Sequence, residues 1–164
     1  MWARGNRRGA IFIDDDDRLA YLELLGWVVG REAWDCIAYC LMTNHVHLLV
    51  ETPKPTLARG MQVLHGDYAR DFNDAHGQDG HVFQGRYGSK LVDDDEQLLA
   101  AAGYIALNPV EAQLCASPRE WRWSSYSALA IGAAPPWLRP DRLFVVLGAA
   151  GGDPRRRYAE LVGS

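Results

Sequence analysis

Lysine is nearly absent from this chain, with two residues against fifteen arginines, and cysteine occurs only three times. Cys36, Cys40 and Cys115 are an odd set without a Cys-x-x-Cys pair, which excludes a disulfide framework or structural zinc knuckle and leaves reduced, buried thiols. No apolar run reaches the roughly 18 residues of a membrane span. The segment Met1-Trp2-Ala3-Arg4-Gly5-Asn6-Arg7-Arg8 lacks the apolar stretch of a secretion signal, so a cytoplasmic protein with no membrane partner is expected. A basic excess is lacking too. The formal charge is −4 at pH 7, which argues against a general nucleic-acid coat protein. The arginine bias suits bidentate phosphate contacts and is weak support for them.

The acid is clustered. Asp14 to Asp17 and Asp93 to Glu96 hold eight of the 21 carboxylates, and both runs stand where a helix should begin, where the helix dipole favours negative charge. They read as solvated helix starts, not acidic sites.

The 164 residues, nearly half of them hydrophobic, suffice for one ordinary core. After a short N-terminal strand, Leu19, Leu22, Leu25 and Val29 share a helical face, with Gly30 as the stop. Trp34 to Met42 and His45 to Glu51 flank Thr43-Asn44 as a β-hairpin. Thr56 caps a second helix along Leu57, Met61, Leu64, Tyr68 and Phe72. Glycines at 77, 80, 85 and 88 mark a loop before a last strand over Tyr87 to Val92. The order βαββαβ predicts an α+β, ferredoxin-like sandwich: an antiparallel sheet with two helices on one face and the other face open for a site. A third helix from Asp93 carries Leu98, Leu99, Ala102 and Ile105 and should end at Pro109. The expected division is a catalytic core over 1–110 and a helical extension over 111–164 packed on it.

Two elements carry chemistry. His45 and His47 alternate to the same face of their strand, roughly 6 to 7 Å apart at Cα, close enough for both imidazoles to reach one metal ion. Two histidines on a half-buried strand are equally at home as hydrogen-bonded structural residues. Tyr104 and Asn108, four apart, share one face of the third helix and supply a nucleophilic oxygen and a neutral oxygen ligand. The plainer alternative is a tyrosine packed near a helix end and an asparagine stopping the helix before proline.

Taken together, Asn44-His45-Val46-His47-Leu48-Leu49-Val50 and Tyr104-Ile105-Ala106-Leu107-Asn108-Pro109-Val110 resemble the paired signatures of single-tyrosine HUH transposases, particularly the REP-associated tyrosine transposases. The similarity extends in order through Arg4-Gly5-Asn6, Gly80-His81-Val82-Phe83-Gln84-Gly85-Arg86-Tyr87 and Trp123-Ser124-Ser125-Tyr126, covering roughly residues 2 to 130. The resemblance implies an enzyme that cuts and joins single-stranded or hairpin DNA. His45, His47 and Asn108 would hold Mg²⁺ or Mn²⁺, and Tyr104 would form a 5′-phosphotyrosine and free a 3′-OH. A phenol, with an ordinary pKa of about 10, is a poor nucleophile at neutral pH, and a divalent ion offsets this by neutralising the phosphate. The mixed nitrogen and oxygen set would also accept Co²⁺ or Ni²⁺.

DNA contacts are expected at Arg4, Asn6, Arg7, Arg86 and Lys90, and Trp121, Trp123 and Tyr126 are expected mainly to pack. The chain departs from the family pattern in three places. The usual first strand extends several residues before Arg4, Gly103 stands where arginine is common, and Thr43 replaces a usual proline. Two other readings stand beside this one, the first of them motivated by the short first strand and Gly103. One is a domesticated, non-catalytic hairpin-DNA binding or regulatory protein. The other is a metal-dependent phosphodiesterase in which water attacks. The active form is expected as a monomer or homodimer.

Overall fold

The computed structural model describes residues 1–149 and 151–163. Strands β1 (Trp2–Arg4), β2 (Asp35–Leu41) and β3 (His45–Glu51) form an antiparallel sheet in the order β1-β3-β2. Helices α1 (Asp15–Glu32), α2 (Leu57–His76) and α3 (Asp95–Glu111) complete the first two thirds of the chain. Helices α4 (Ser125–Ala130), α5 (Asp141–Gly148) and α6 (Pro154–Leu161) follow. The α+β class is as expected.

Both acidic runs open helices. Asp14 accepts from the Asp17 amide while Asp17 returns a bond to the Asp14 amide, a reciprocal cap at the start of α1. Asp94 accepts from the Gln97 amide at the start of α3. Other boundaries differ from expectation. Helix α1 passes Gly30 and stops at Ala33, which takes the left-handed conformation at φ 53°. Thr56 stands at the start of α2 without a side-chain cap bond: its backbone, at φ −101° and ψ 0°, is not the extended form of a capping residue, and its hydroxyl accepts the Trp34 indole N–H at 2.9 Å. Helix α3 continues through Pro109 to Glu111; the proline falls in the last turn, and the Ala112 and Leu114 amides still find the Asn108 and Pro109 carbonyls.

The expected strand over 87–92 is reduced to one bridge. Gly88 exchanges both backbone bonds with Trp2, at 3.0 and 2.9 Å, and pairing stops there. Gly80 and Gly85, with φ of 95° and 154°, bend the approach away from extended strand geometry.

Strand alternation divides the sheet. Val46 and Leu48 are buried on the side where α1 and α2 pair with each other, and His45 and His47 turn the other way. That second face, expected to be open, is covered by α3, which touches both β2 and β3.

Residues beyond 111 seal the free edge of β2. The Leu41 amide donates to the Trp123 carbonyl, the Trp121 indole N–H to the Leu41 carbonyl, and the Arg139 amide to the Cys36 carbonyl. Ser125 Oγ accepts from the Tyr39 amide and donates to its carbonyl. Trp123 and Tyr126 are buried, so this aromatic segment packs.

Candidate functional site

Helix α3 runs antiparallel to β3, so that Tyr104 meets His47 and Asn108 meets His45. Two strand residues advance about 6.8 Å and four helical residues about 6 Å, a match that lets both contacts form together. The His47 and Tyr104 rings lie 5.2 Å apart at 87°, and the two histidine rings lie 5.0 Å apart at 90°. His45 Nε2 is 3.1 Å from Asn108 Oδ1. The four residues singled out by sequence therefore converge.

Asn44 sets the tautomer of His45. Its Nδ2 donates to the Arg8 carbonyl at 3.1 Å, leaving Oδ1 to face His45 Nδ1 at 2.8 Å. An amide oxygen only accepts, so Nδ1 carries the proton and the Nε2 lone pair points at Asn108. Two acceptors facing one another at that distance call for a cation between them or a turned Asn108 amide. The sequence signal for Asn44 was present, since it directly precedes His45, but its role became visible only with the Arg8 contact.

Burial holds both histidines neutral. It lowers His45, with Asn108 opposing and the Arg4 charge adding to the shift. It lowers His47 to about 4, assisted by His45, the terminal ammonium and Arg4. The His47 ring makes no hydrogen bond among the described residues, so its nitrogen lone pair is uncommitted. Tyr104 is half exposed and Asn108 buried.

A cavity of about 550 Å³ opens beside these groups, lined by Trp2, Arg4, His45, His47, Lys90 and Tyr104 among others. Of the expected DNA contacts, Arg4 and Lys90 face it. Asn6, Arg7 and Arg86 are exposed and do not line it. Trp2 was not among the residues singled out by sequence.

A second group of potential ligands, Asp14, Asp17 and His76, lies at the start of α1. Three of its four carboxylate oxygens already accept hydrogen bonds: those of Asp17 from the Ile13 and Asp14 amides and from His76 Nε2, and Asp14 Oδ1 from the Asp17 amide. It ties the start of α1 to the end of α2.

The fold is similar to the solved structure of a REP-associated tyrosine transposase bound to a REP hairpin, with a TM-score of 0.64 at 16% identity over 82% of this chain and 79% of that one. No curated protein matches the chain. The family model described as "Transposase IS200 like" matches residues 1–108, a span that includes all four converging side chains. With that share of its length matched, this chain belongs to the IS200-like transposase family.

Proposed function

We propose that the protein is a metal-dependent DNA strand transferase that cuts and rejoins single-stranded or hairpin DNA through Tyr104. The observation that carries this is the edge-on approach of the Tyr104 ring to His47, with Asn108 one turn along the same helix facing His45. The four side chains approach one another within one copy of the chain.

The donor set fits a divalent cation. His45 Nε2 and a His47 ring nitrogen are neutral lone pairs and Asn108 Oδ1 is a neutral oxygen, a mixed set suited to Mg²⁺ or Mn²⁺ with water and phosphate filling other positions. When bound, the ion would neutralise the scissile phosphate and stabilise the departing oxygen. The Asn44 amide holds His45 in the ligating tautomer, and α3 fixes Tyr104 above His47. Tyr104 Oη forms a bond to phosphorus and loses its proton to solvent, which reaches this half-exposed side chain. The bond from phosphorus to the 3′ oxygen breaks, leaving a 5′-phosphotyrosine and a 3′-OH. Attack by another 3′-OH reverses the step and joins strands without an external energy source.

The test is incubation with hairpin DNA bearing a single-stranded flank and Mn²⁺, followed by denaturing electrophoresis. An adduct lost in Tyr104→Phe is expected. An adduct that persists in that variant moves the nucleophile elsewhere. Metal-dependent cleavage surviving Tyr104→Phe but not His47→Ala makes water the nucleophile. Binding without either product makes this a hairpin-binding protein.

A further inference from the structure

Trp2 is half exposed, although a tryptophan so close to a sheet would ordinarily bury its ring. Its place is fixed from two sides. In the sheet it stands directly opposite His47, as Arg4 stands opposite His45, so strand geometry puts all four on the face covered by α3. At its back lies Gly88, tied to Trp2 by both backbone bonds. A Cβ at position 88 would fall 2.3 Å from Trp2 Cε2, so the indole rests against a backbone that only glycine leaves bare. The indole N–H has no hydrogen-bond partner among the described residues.

In front of the ring is the cavity of about 550 Å³ it shares with Tyr104 and His47. Its other walls include the aliphatic Leu49, Val92, Ala101 and Ile105, and the Arg4 and Lys90 cations also line it. A flat, apolar ring joined to a negative charge matches this combination. Neither a plain hydrophobic ligand nor a free phosphate uses both parts. An unpaired nucleotide does, with its base against the indole and its phosphate near the cations.

We propose that Trp2, braced on Gly88, is the stacking wall of a subsite for the unpaired nucleobase adjoining the phosphate that Tyr104 attacks. This rests on the strand-transfer function proposed above. Trp2 is a positioning residue here: it takes no part in bond making and sets how far the strand is drawn past the tyrosine.

The experiment compares binding of single-stranded dT12 with that of a twelve-unit abasic strand of the same charge, in Mn²⁺ and with Tyr104→Phe as background to prevent cleavage. Stacking should make dT12 bind at least about 10-fold more tightly than the abasic strand. Trp2→Ala should erase most of that preference and leave abasic binding unchanged. Trp2→Phe should restore much of it, whereas Trp2→Leu, which keeps apolar bulk against Gly88, should not. Equal binding of both strands by the Trp2-containing protein overturns the subsite, as does an equal loss on both strands in Trp2→Ala, or full rescue by leucine. If neither strand binds, the DNA function itself fails, which the adduct assay reports separately.

Discussion

Asn44 Oδ1 lies 2.8 Å from His45 Nδ1, and the bond from Asn44 Nδ2 to the Arg8 carbonyl leaves that amide one orientation. A side chain that touches neither Tyr104 nor the cavity thereby decides which nitrogen of His45 faces Asn108.

Asn44→Ala should weaken Mn²⁺ binding by about 10- to 100-fold, the usual cost of losing an outer partner of a metal-binding histidine. Titration followed by electron paramagnetic resonance measures it. Unchanged affinity would mean that His45 does not ligate through Nε2.

Stability should fall on mild acidification. His65 stacks on Phe83 at 4.2 Å with its Nε2 3.3 Å from the Tyr21 hydroxyl, and burial lowers it to about 4. Unfolding restores a pKa of about 6.5, so below that the unfolded chain binds the extra proton. The contribution of neutral His65 is complete above about pH 6.5, is lost progressively as pH falls toward 4, and is on the order of 3 kcal/mol. His47 adds in the same direction. Urea midpoints across this window should drop less in His65→Gln than in wild type. Identical slopes would contradict the assignment.

Ser125→Ala leaves the buried amide and carbonyl of Tyr39 without their partner at once. Orphaning buried backbone groups costs about 1 to 3 kcal/mol each, so a loss of about 2 to 4 kcal/mol is expected in urea denaturation. A change under about 0.5 kcal/mol would show that the edge is held by its other bonds.

Gly88→Ala should cost about 1 to 3 kcal/mol, because the added methyl overlaps the Trp2 ring. Its melting temperature should fall and its tryptophan emission should shift. An unperturbed protein would mean that Trp2 has room to move aside.

Much of this was legible in the sequence, for reasons that can be named. The hairpin around Thr43-Asn44 and the shared face of His45 and His47 follow from period-two geometry, and the acidic caps of α1 and α3 from dipole and side-chain chemistry. The pairing of Tyr104 with His47 joins residues 57 apart; neither period contains it, and it entered through family resemblance. Gly88 misled because Tyr87 to Val92 has strand-like composition, yet the glycine serves to bare its backbone to an indole. Pro109 misled because losing its own amide bond did not end the helix: the Ala112 and Leu114 amides still close onto the Asn108 and Pro109 carbonyls. The roles of Trp2 and of the β2 edge depend on tertiary contacts that no local pattern encodes.

The match to the family model ends at residue 108, yet the outer edge of β2 finds its partners at residues 121 to 125 and 138 to 139. During synthesis the hairpin leaves the ribosome with that row of amides and carbonyls bare, and it stays so until about ninety more residues have followed. The nascent protein thus passes through a stage when a neighbouring nascent chain could add a strand of its own, and the late-arriving tail is the cover that closes this window.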